Sequence, residues 1–206
     1  VHHLPDWTGL RTFWQHFVSR RRDNRDDSLL SAIARAFDDG GVRICPATDF
    51  APELLAAGGV LAGRVPSTSQ WANIRFGWTL AKELGRHDIG QTVVVHNRAP
   101  VALEAIEGTD ECIRRAGRLC PQGGMVVVKV AKPRQDLRFD MPTIGLGTLQ
   151  SLKAAGAGVL VIEAGRTILV DAPELLAFAE RSGLTIASCH DAAGSPELPQ
   201  CRSDAA

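Results

Sequence analysis

Tyrosine is absent from this sequence of 206 residues, and aromatic residues make up only 5% of it. Neither sign of charge is in excess, because 23 basic residues balance 23 acidic ones. Dedicated nucleic-acid-binding domains carry a strongly basic face, so this balance argues against nucleic acid as a partner. No run approaches the roughly 18 apolar residues of a membrane-spanning helix, and the first residues lack the order of a signal peptide.

Several common site patterns are also missing. The five cysteines are odd in number and form no Cys-x-x-Cys pair, so neither a disulfide framework nor a zinc knuckle is predicted, and a reducing cytoplasm is the simplest compartment. We interpret Cys189 as a buried structural thiol beside a surface histidine, His190. The absence of GxSxG, P-loop and HExxH patterns removes the commoner hydrolase and NTPase readings.

The first fifty residues predict the end of a layered α/β domain. Apolar residues at helical spacing predict an amphipathic helix over 8–22, which either packs on a sheet or lies on an anionic membrane. A second helix is predicted over 28–37 and a short buried strand over 42–45. A lone strand cannot form a sheet, so we assign residues 1–50 to the remnant of an N-terminal domain.

The rest of the chain alternates helical and strand patterns after a region rich in Pro and Gly, residues 51–68, which we predict to be a linker. Helices are predicted over 70–84, 109–119, 143–155 and 171–182, and strands over 92–96, 101–106, 125–131, 159–162, 167–170 and 185–188. Hairpins mixed with crossovers predict an α/β domain over 69–192 with a mixed sheet covered by helices. Residues 193–206 are predicted to be a disordered tail.

Two clusters of residues could carry chemistry. In the first, Glu104, Glu107 and Asp110 fall at a strand end, in a turn and at a helix start. Carboxylates with phosphate oxygens hold Mg²⁺, and the amides after Gly108 and Thr109 could bind an anion at a helix N-terminus. The other interpretation is a capped helix with solvated glutamates.

The second cluster runs from Lys129 and Lys132 to Asp140 and Thr143. Lys129 lies in an apolar strand, where an unpaired ammonium is costly, and the nearby cations suit a pyrophosphate cradle beside a metal-binding carboxylate. The alternative is that Asp140 caps a helix that begins at Pro142. A third acidic pair, Asp171 and Glu174, has the spacing of a capping box, and we predict a structural role for it.

Taken in order, five short blocks resemble the LpxI-type UDP-2,3-diacylglucosamine pyrophosphatase family over about residues 10–190. The blocks are Gly85-Arg-His-Asp-Ile-Gly-Gln91, Glu104-Ala-Ile-Glu-Gly-Thr-Asp110, Lys129-Val-Ala-Lys-Pro133, Asp140-Met-Pro-Thr-Ile-Gly145, and Glu163-Ala-Gly-Arg166 followed by Val170-Asp171. The resemblance implies Mg²⁺-dependent hydrolysis of UDP-2,3-diacylglucosamine to UMP and 2,3-diacylglucosamine 1-phosphate. It implies a cytoplasmic protein, peripheral to the inner membrane, and leaves a homodimer open.

The resemblance also implies roles for particular residues. Asp140 matches the family's catalytic acidic residue and is expected to bind the metal or orient a water molecule. The remaining expected site residues are Lys129, Lys132, Thr143, Gly108, Thr109 and Gln91 for the substrate, and Glu107 and Asp110 for the metal.

One departure from the family pattern concerns the N-terminus. Family members begin with a strand and a glycine-rich turn in a Rossmann-like, nucleotide-binding-like domain, and nothing similar precedes Leu10. An N-terminally truncated chain is therefore expected. The alternatives to an active hydrolase are an inactive domain that binds a nucleotide-sugar lipid or a partner, and an unrelated sensor of a phosphate ligand.

Overall fold

The computed structural model describes residues 26–198, with side chains from residue 30 onward. The chain divides into two compact units. Unit 1 comprises Val1–Phe50 together with Asp136–Asp140, and unit 2 comprises Ala51–Gln135 together with Met141–Ala206. The segment Asp136–Asp140 therefore leaves the surrounding sequence of unit 2 to join unit 1.

Within unit 1, helix α1 spans Asp26–Asp39 and ends before Gly40, which confirms the second helix predicted from the sequence. A 3-10 turn follows at Ala47–Asp49. The predicted strand over 42–45 is wrong, because these residues are irregular and Val42 is 55% exposed. No neighbouring strand pairs with them in the described part of unit 1, and a lone segment has no ladder to join. The helix predicted over 8–22 lies outside the described residues.

Unit 2 is built on a mixed sheet in the order β1-β8-β6-β4-β2-β3, with β9 paired to β8. These strands are β1 (Gly59–Ala62), β2 (Thr92–His96), β3 (Ala99–Leu103), β4 (Met125–Lys129), β6 (Ala157–Glu163), β8 (Thr185–Ala192) and β9 (Ser195–Glu197). The three central strands β4, β6 and β8 are parallel, whereas β1, β2 and β3 are antiparallel to their neighbours. The mixed sheet predicted from the sequence is confirmed.

Helices cover both faces of this sheet. On one face lies α2 (Thr68–Arg86), whose Ile74, Trp78 and Ala81 pack against the valines of β2 and β4. The other face is covered by α3 (Thr109–Leu119), α4 (Leu146–Ala154) and α5 (Ala172–Ser182). Alternate side chains of each strand point to opposite faces, so the valine-rich strand β4 contributes to both hydrophobic cores.

Connectivity brings several chain segments to one edge of the sheet. This edge, here called the carboxyl edge, is where β4 and β6 end at Lys129 and Glu163. Because β2 runs antiparallel to β4, it begins there, with Thr92 opposite Lys129. Helices α3, α4 and α5 also begin at this edge, because the strands β3, β4 and β6, which precede them in the chain, end there. The carboxyl edge of parallel strands is the usual ligand-binding edge of α/β proteins.

A second, two-stranded sheet pairs β5 (Thr143–Ile144) with β7 (Ile168–Leu169) in parallel. One prediction is corrected by it, because residues 143–145 are not helical and Pro142 therefore does not start α4. The strand predicted over 167–170 is observed as Ile168–Leu169 and pairs with β5. The predicted linker 51–68 contains β1, which joins the main sheet. The predicted disordered tail 193–206 contains β9, and its last eight residues lie outside the described part.

Two predicted helix boundaries also change. Gly85 does not end α2 but lies inside it, since the helix continues to Arg86. Glycine suits this position because Pro133 and Lys132 approach to 3.1 and 3.2 Å of the place that a Cβ would occupy. Asp171 precedes α5 in a left-handed conformation (φ 49°, ψ 53°), and its side chain makes no capping hydrogen bond within the described residues. The capping box predicted there is therefore wrong.

Candidate functional site

Lys129 is the most deeply buried cation on the α3–α5 side of the carboxyl edge, with 6% of its surface exposed. Its Nζ donates to the backbone carbonyl of Thr143 at 3.0 Å. A buried ammonium needs such partners because desolvation of the charge is costly. The contact joins the end of β4 to the start of β5, three residues before α4 begins, and so brings the predicted residues Lys129 and Thr143 together.

Glu104, directly after β3, connects two other segments. Its side chain is nearly buried (7% exposed). One carboxylate oxygen accepts the Thr109 hydroxyl hydrogen at 3.0 Å, and the other accepts the Gln91 amide hydrogen at 3.3 Å. The Thr109 and Thr92 hydroxyl oxygens lie 3.4 Å apart. The predicted residues Gln91 and Thr109 are thus held at the start of β2, where Thr92 lies opposite Lys129. The carboxylate that holds them belongs to the first cluster of the sequence analysis but was not among the expected site residues.

Gly90 makes this arrangement possible. A Cβ at Gly90 would overlap the carbonyl oxygen of Glu104, so only glycine lets the loop before β2 pass so close to the end of β3. The next residue, Gln91, then donates its amide to Glu104, and its carbonyl accepts the Val130 amide at 3.1 Å.

Helices α3 and α4 start side by side at the carboxyl edge. Each is preceded by a glycine at the N-cap, Gly108 with φ 81° and Gly145. The two first turns are joined where the Thr148 hydroxyl donates to the Asp110 carboxylate at 3.0 Å. The first amide groups of a helix have no intrahelical partner and carry partial positive charge. Two adjacent helix starts without a capping side chain on the N-cap residue, next to Lys129, can therefore bind an anion such as phosphate.

Glu107 is used within the chain. Its carboxylate forms an ion pair with Arg115 and accepts the Ala105 amide hydrogen at 3.0 Å. Hydrogen bonds from its own backbone amide and from the Arg115 guanidinium lower the pKa of Glu107. Arg115 also donates to the Leu103 carbonyl at 2.7 Å, so the ion pair fixes the loop between β3 and α3.

Lys132 lies at the α2 side of the same edge. Its Nζ contacts the Asp88 carboxylate at 2.6 Å, with both side chains partly exposed. Asp88 has a left-handed backbone (φ 57°), a conformation that residues with a Cβ adopt at a cost and often at functional sites. Asp88 was part of a recognised block but was not predicted as a site residue.

Asp140 belongs to unit 1, whereas the other predicted site residues belong to unit 2. Its backbone amide donates to the Asp136 carbonyl at 3.0 Å. Two residues earlier, the Arg138 guanidinium donates hydrogen bonds of 2.9 and 2.7 Å to the Asp136 carboxylate. This guanidinium lowers the pKa of Asp136. Arg138 also lines a cavity of about 360 Å³ within unit 1.

The carboxylates offer oxygen donors of the kind that Mg²⁺ prefers. Among residues 26–198, however, no three His, Cys, Asp or Glu side chains are grouped so that they could hold a metal ion. Both oxygens of Glu107 are engaged by Arg115 and Ala105. The donor set therefore fits a metal that is bound by one or two carboxylates and completed by phosphate oxygens, rather than a metal held by protein ligands alone.

The described cysteines confirm the structural interpretation of Cys189. Burial raises the pKa of both Cys112 and Cys189 to about 12, and His190 is exposed. A thiol that stays protonated is a poor nucleophile.

The fold and the site define an α/β protein with a buried lysine, a buried carboxylate and two helix N-termini at the carboxyl edge of a mixed sheet. The family model of the LpxI C-terminal domain matches residues 57–187, and that of the LpxI N-terminal domain matches residues 1–54. UDP-2,3-diacylglucosamine pyrophosphatase LpxI of Caulobacter vibrioides is 35% identical in an alignment of 191 residues that covers 89% of this chain and 67% of that protein. The chain belongs to the LpxI family, which confirms the resemblance found in the sequence. No helix in the described part of the chain is long and apolar enough to cross a bilayer.

Proposed function

We propose that this protein hydrolyses the pyrophosphate bond of UDP-2,3-diacylglucosamine in lipid A biosynthesis, giving UMP and 2,3-diacylglucosamine 1-phosphate. The observation that carries the proposal is that the LpxI C-terminal domain model covers the residues that form the sheet and its polar edge. The relative from Caulobacter vibrioides bears the name of this activity. The anion chemistry of the carboxyl edge supports it independently of the name.

Phosphate recognition is assigned to the carboxyl edge. Lys129 and Lys132 supply positive charge, and the amides of the first turns of α3 and α4 supply directed donors. The remaining contacts with the substrate are assigned to Gly108, Thr109, Thr143 and Gln91. Pyrophosphate hydrolysis depends on such charge stabilisation, because negative charge grows on the leaving phosphate as the bond breaks.

In the proposed reaction, a water oxygen bonds to one phosphorus as the bond from that phosphorus to the bridging oxygen breaks. The leaving phosphate keeps the electron pair of the broken bond, and the water releases a proton. We assign Asp140 to orient this water and accept its proton. Mg²⁺, when bound, supplies neutralisation of the phosphate oxygens. Asp110 is the carboxylate of unit 2 that we assign to it, and Glu107 is left to its ion pair with Arg115.

The site of action follows from the substrate. A diacylated glucosamine resides in a membrane, whereas its UDP group is water-soluble. We place the protein in the cytoplasm, peripheral to the cytoplasmic face of the inner membrane.

The test is release of UMP from UDP-2,3-diacylglucosamine, measured with Mg²⁺ and with EDTA. Metal-dependent release should fall by about 100-fold or more in Asp140→Asn, since removal of a transition-state contact typically costs that much. Asp39→Asn, an exposed carboxylate of the same unit, is the matched control and should keep full activity. Substrate binding without release by the unaltered protein would contradict the proposal and favour a binding domain. Full activity in Asp140→Asn would remove that residue from the mechanism.

A further inference from the structure

A buried ion pair lies at the carboxyl edge on the α2 side of the sheet, where the proposed reaction does not use it. Lys82 of α2 and Glu163 at the end of β6 are 2.7 Å apart, with side chains only 5% and 2% exposed. The two residues are 81 positions apart in sequence. Burial of two charges is costly even when they are paired, so a pair this deeply buried is expected to hold other groups of the protein in place.

The pair forms hydrogen bonds with both backbone groups of one residue, Ala131. The Ala131 amide donates to Glu163 Oε2 at 2.8 Å, and the Ala131 carbonyl accepts from Lys82 Nζ at 3.3 Å. Ala131 is fully buried and lies beyond the end of β4. Buried backbone groups need partners, and here two charged side chains take the place of a neighbouring strand.

Other groups around the ion pair complete it without touching Ala131. Asp191 lies 3.4 Å from Lys82 Nζ and accepts the Trp78 indole hydrogen at 3.1 Å. Arg166 approaches Glu163 at 3.6 Å. Lys82 also lies over the Trp78 ring, 5.6 Å from its centroid. The network therefore contains contacts that hold Ala131 and contacts that do not, and the two kinds can be separated by mutation.

We infer that Lys82 and Glu163 are positioning residues that fix the backbone of 130–132 and thereby place Lys129 and Lys132 for phosphate binding. The inference rests on the proposed function. Ala131 lies between the two lysines, which reach opposite sides of the edge to contact Thr143 and Asp88. Motion of the backbone at Ala131 would displace the ammonium groups of both lysines from the phosphates. Such a displacement weakens substrate binding and catalysis together.

The experiment compares Glu163→Gln and Lys82→Met with the control Asp191→Asn. The first two variants alter a group bonded to Ala131, whereas the control alters the same network elsewhere. One readout is hydrogen exchange at the Ala131 amide, relative to that at Val94 in the core of β2. The other is the split between KM and kcat for UDP-2,3-diacylglucosamine.

We expect exchange at Ala131 to be about tenfold faster in Glu163→Gln, as loss of a charged acceptor implies. KM should rise by about tenfold or more in both test variants, with Asp191→Asn close to the unaltered protein in both readouts. A purely structural role predicts lower stability in all three variants with unchanged KM and kcat for the folded protein, and that result would overturn the inference. Glu163→Gln preserves the side-chain volume, so this variant still tests the positioning role if Lys82→Met does not fold.

The two proposals can fail separately. An unaltered protein without turnover contradicts the proposed function, but titration with inorganic pyrophosphate, followed through the amides of 129–132, still tests positioning. Weaker pyrophosphate binding in Glu163→Gln than in Asp191→Asn would support the positioning role. Equal binding, together with equal exchange at Ala131, would overturn it.

Discussion

Replacement of Gly90 by alanine tests whether the contact between two loops sets up the carboxyl edge. The added Cβ would overlap the carbonyl oxygen of Glu104. That carbonyl cannot retreat freely, because the Glu104 amide is bonded to the Thr92 carbonyl at 2.9 Å. The loop before β2 must therefore shift, and the Gln91 amide then moves away from the Glu104 carboxylate.

Two costs add up in Gly90→Ala. Over-packing of a close contact costs about 1–3 kcal/mol, and loss of a hydrogen bond to a charged acceptor costs about 1.5–3 kcal/mol. Since relaxation of the loop relieves part of each, we expect unit 2 to lose about 2–4 kcal/mol. Backbone strain adds nothing to this sum, because φ of Gly90 does not lie in the left-handed region.

The assay is native-state hydrogen exchange at buried amides of β2 and β4, which reports opening of unit 2 alone. A loss of 2–4 kcal/mol corresponds to exchange faster by about 30- to 700-fold. Gly147→Ala is the control, because a Cβ there meets only the Asp110 carboxylate, at an ordinary 3.9 Å, on an exposed turn of α4. Alanine in a helix should stabilise it, by about 0.5 kcal/mol. Equal exchange in the two variants would refute the close approach at Gly90.

Two further predictions concern titratable groups. Burial raises the pKa of Cys112 and Cys189 to about 12, so both thiols should resist iodoacetamide at pH 8 while the half-buried Cys45 reacts. Mass spectrometry gives the labelling rates, and equal labelling of all three cysteines would contradict the burial. Arg138 lowers the pKa of Asp136 in the folded protein. The contact therefore stabilises unit 1 fully at pH values above the ordinary aspartate pKa of about 4, and this stabilisation is lost as the pH falls through the lower pKa of the folded state. A carboxyl titration by NMR should show this low midpoint and its return to the ordinary range in Arg138→Gln, and an unshifted midpoint in the unaltered protein would disprove the contact.

The sequence predicted those elements whose signals are local. Helix α3 was predicted over 109–119, as observed, because Cys112, Ile113 and Ala116 recur at helical spacing and all face the core. Strands β5 and β7 have two residues each, too few to show a period. They exist only because Thr143 and Ile144 meet Ile168 and Leu169 in the folded chain, which no local pattern records.

The candidate site also combines residues that the sequence singles out with contacts that the sequence does not show. Lys129 could be singled out because a lysine inside a run of valines must find a partner. One partner in the structure, however, is the backbone carbonyl of Thr143, and a residue's side-chain identity does not reveal its backbone contacts. Glu104 and Glu163 were visible as acidic residues at strand ends, yet their contacts come from loops and helices distant in the chain. The predicted metal ligands are divided between the two units, since Asp140 belongs to unit 1 and Asp110 to unit 2.

The two faces of the carboxyl edge depend on the same strand register. Along β4 the side chains alternate, so Lys129 points to the α3–α5 face, and Val130 beyond the strand packs in the α2-side core. A slip by one residue would send Lys129 to the wrong face. The Val130 amide is held by the Gln91 carbonyl, and Ala131 is held by Lys82 and Glu163. The buried charges on one face therefore oppose a slip that would move Lys129, the residue proposed to bind phosphate, away from the other face.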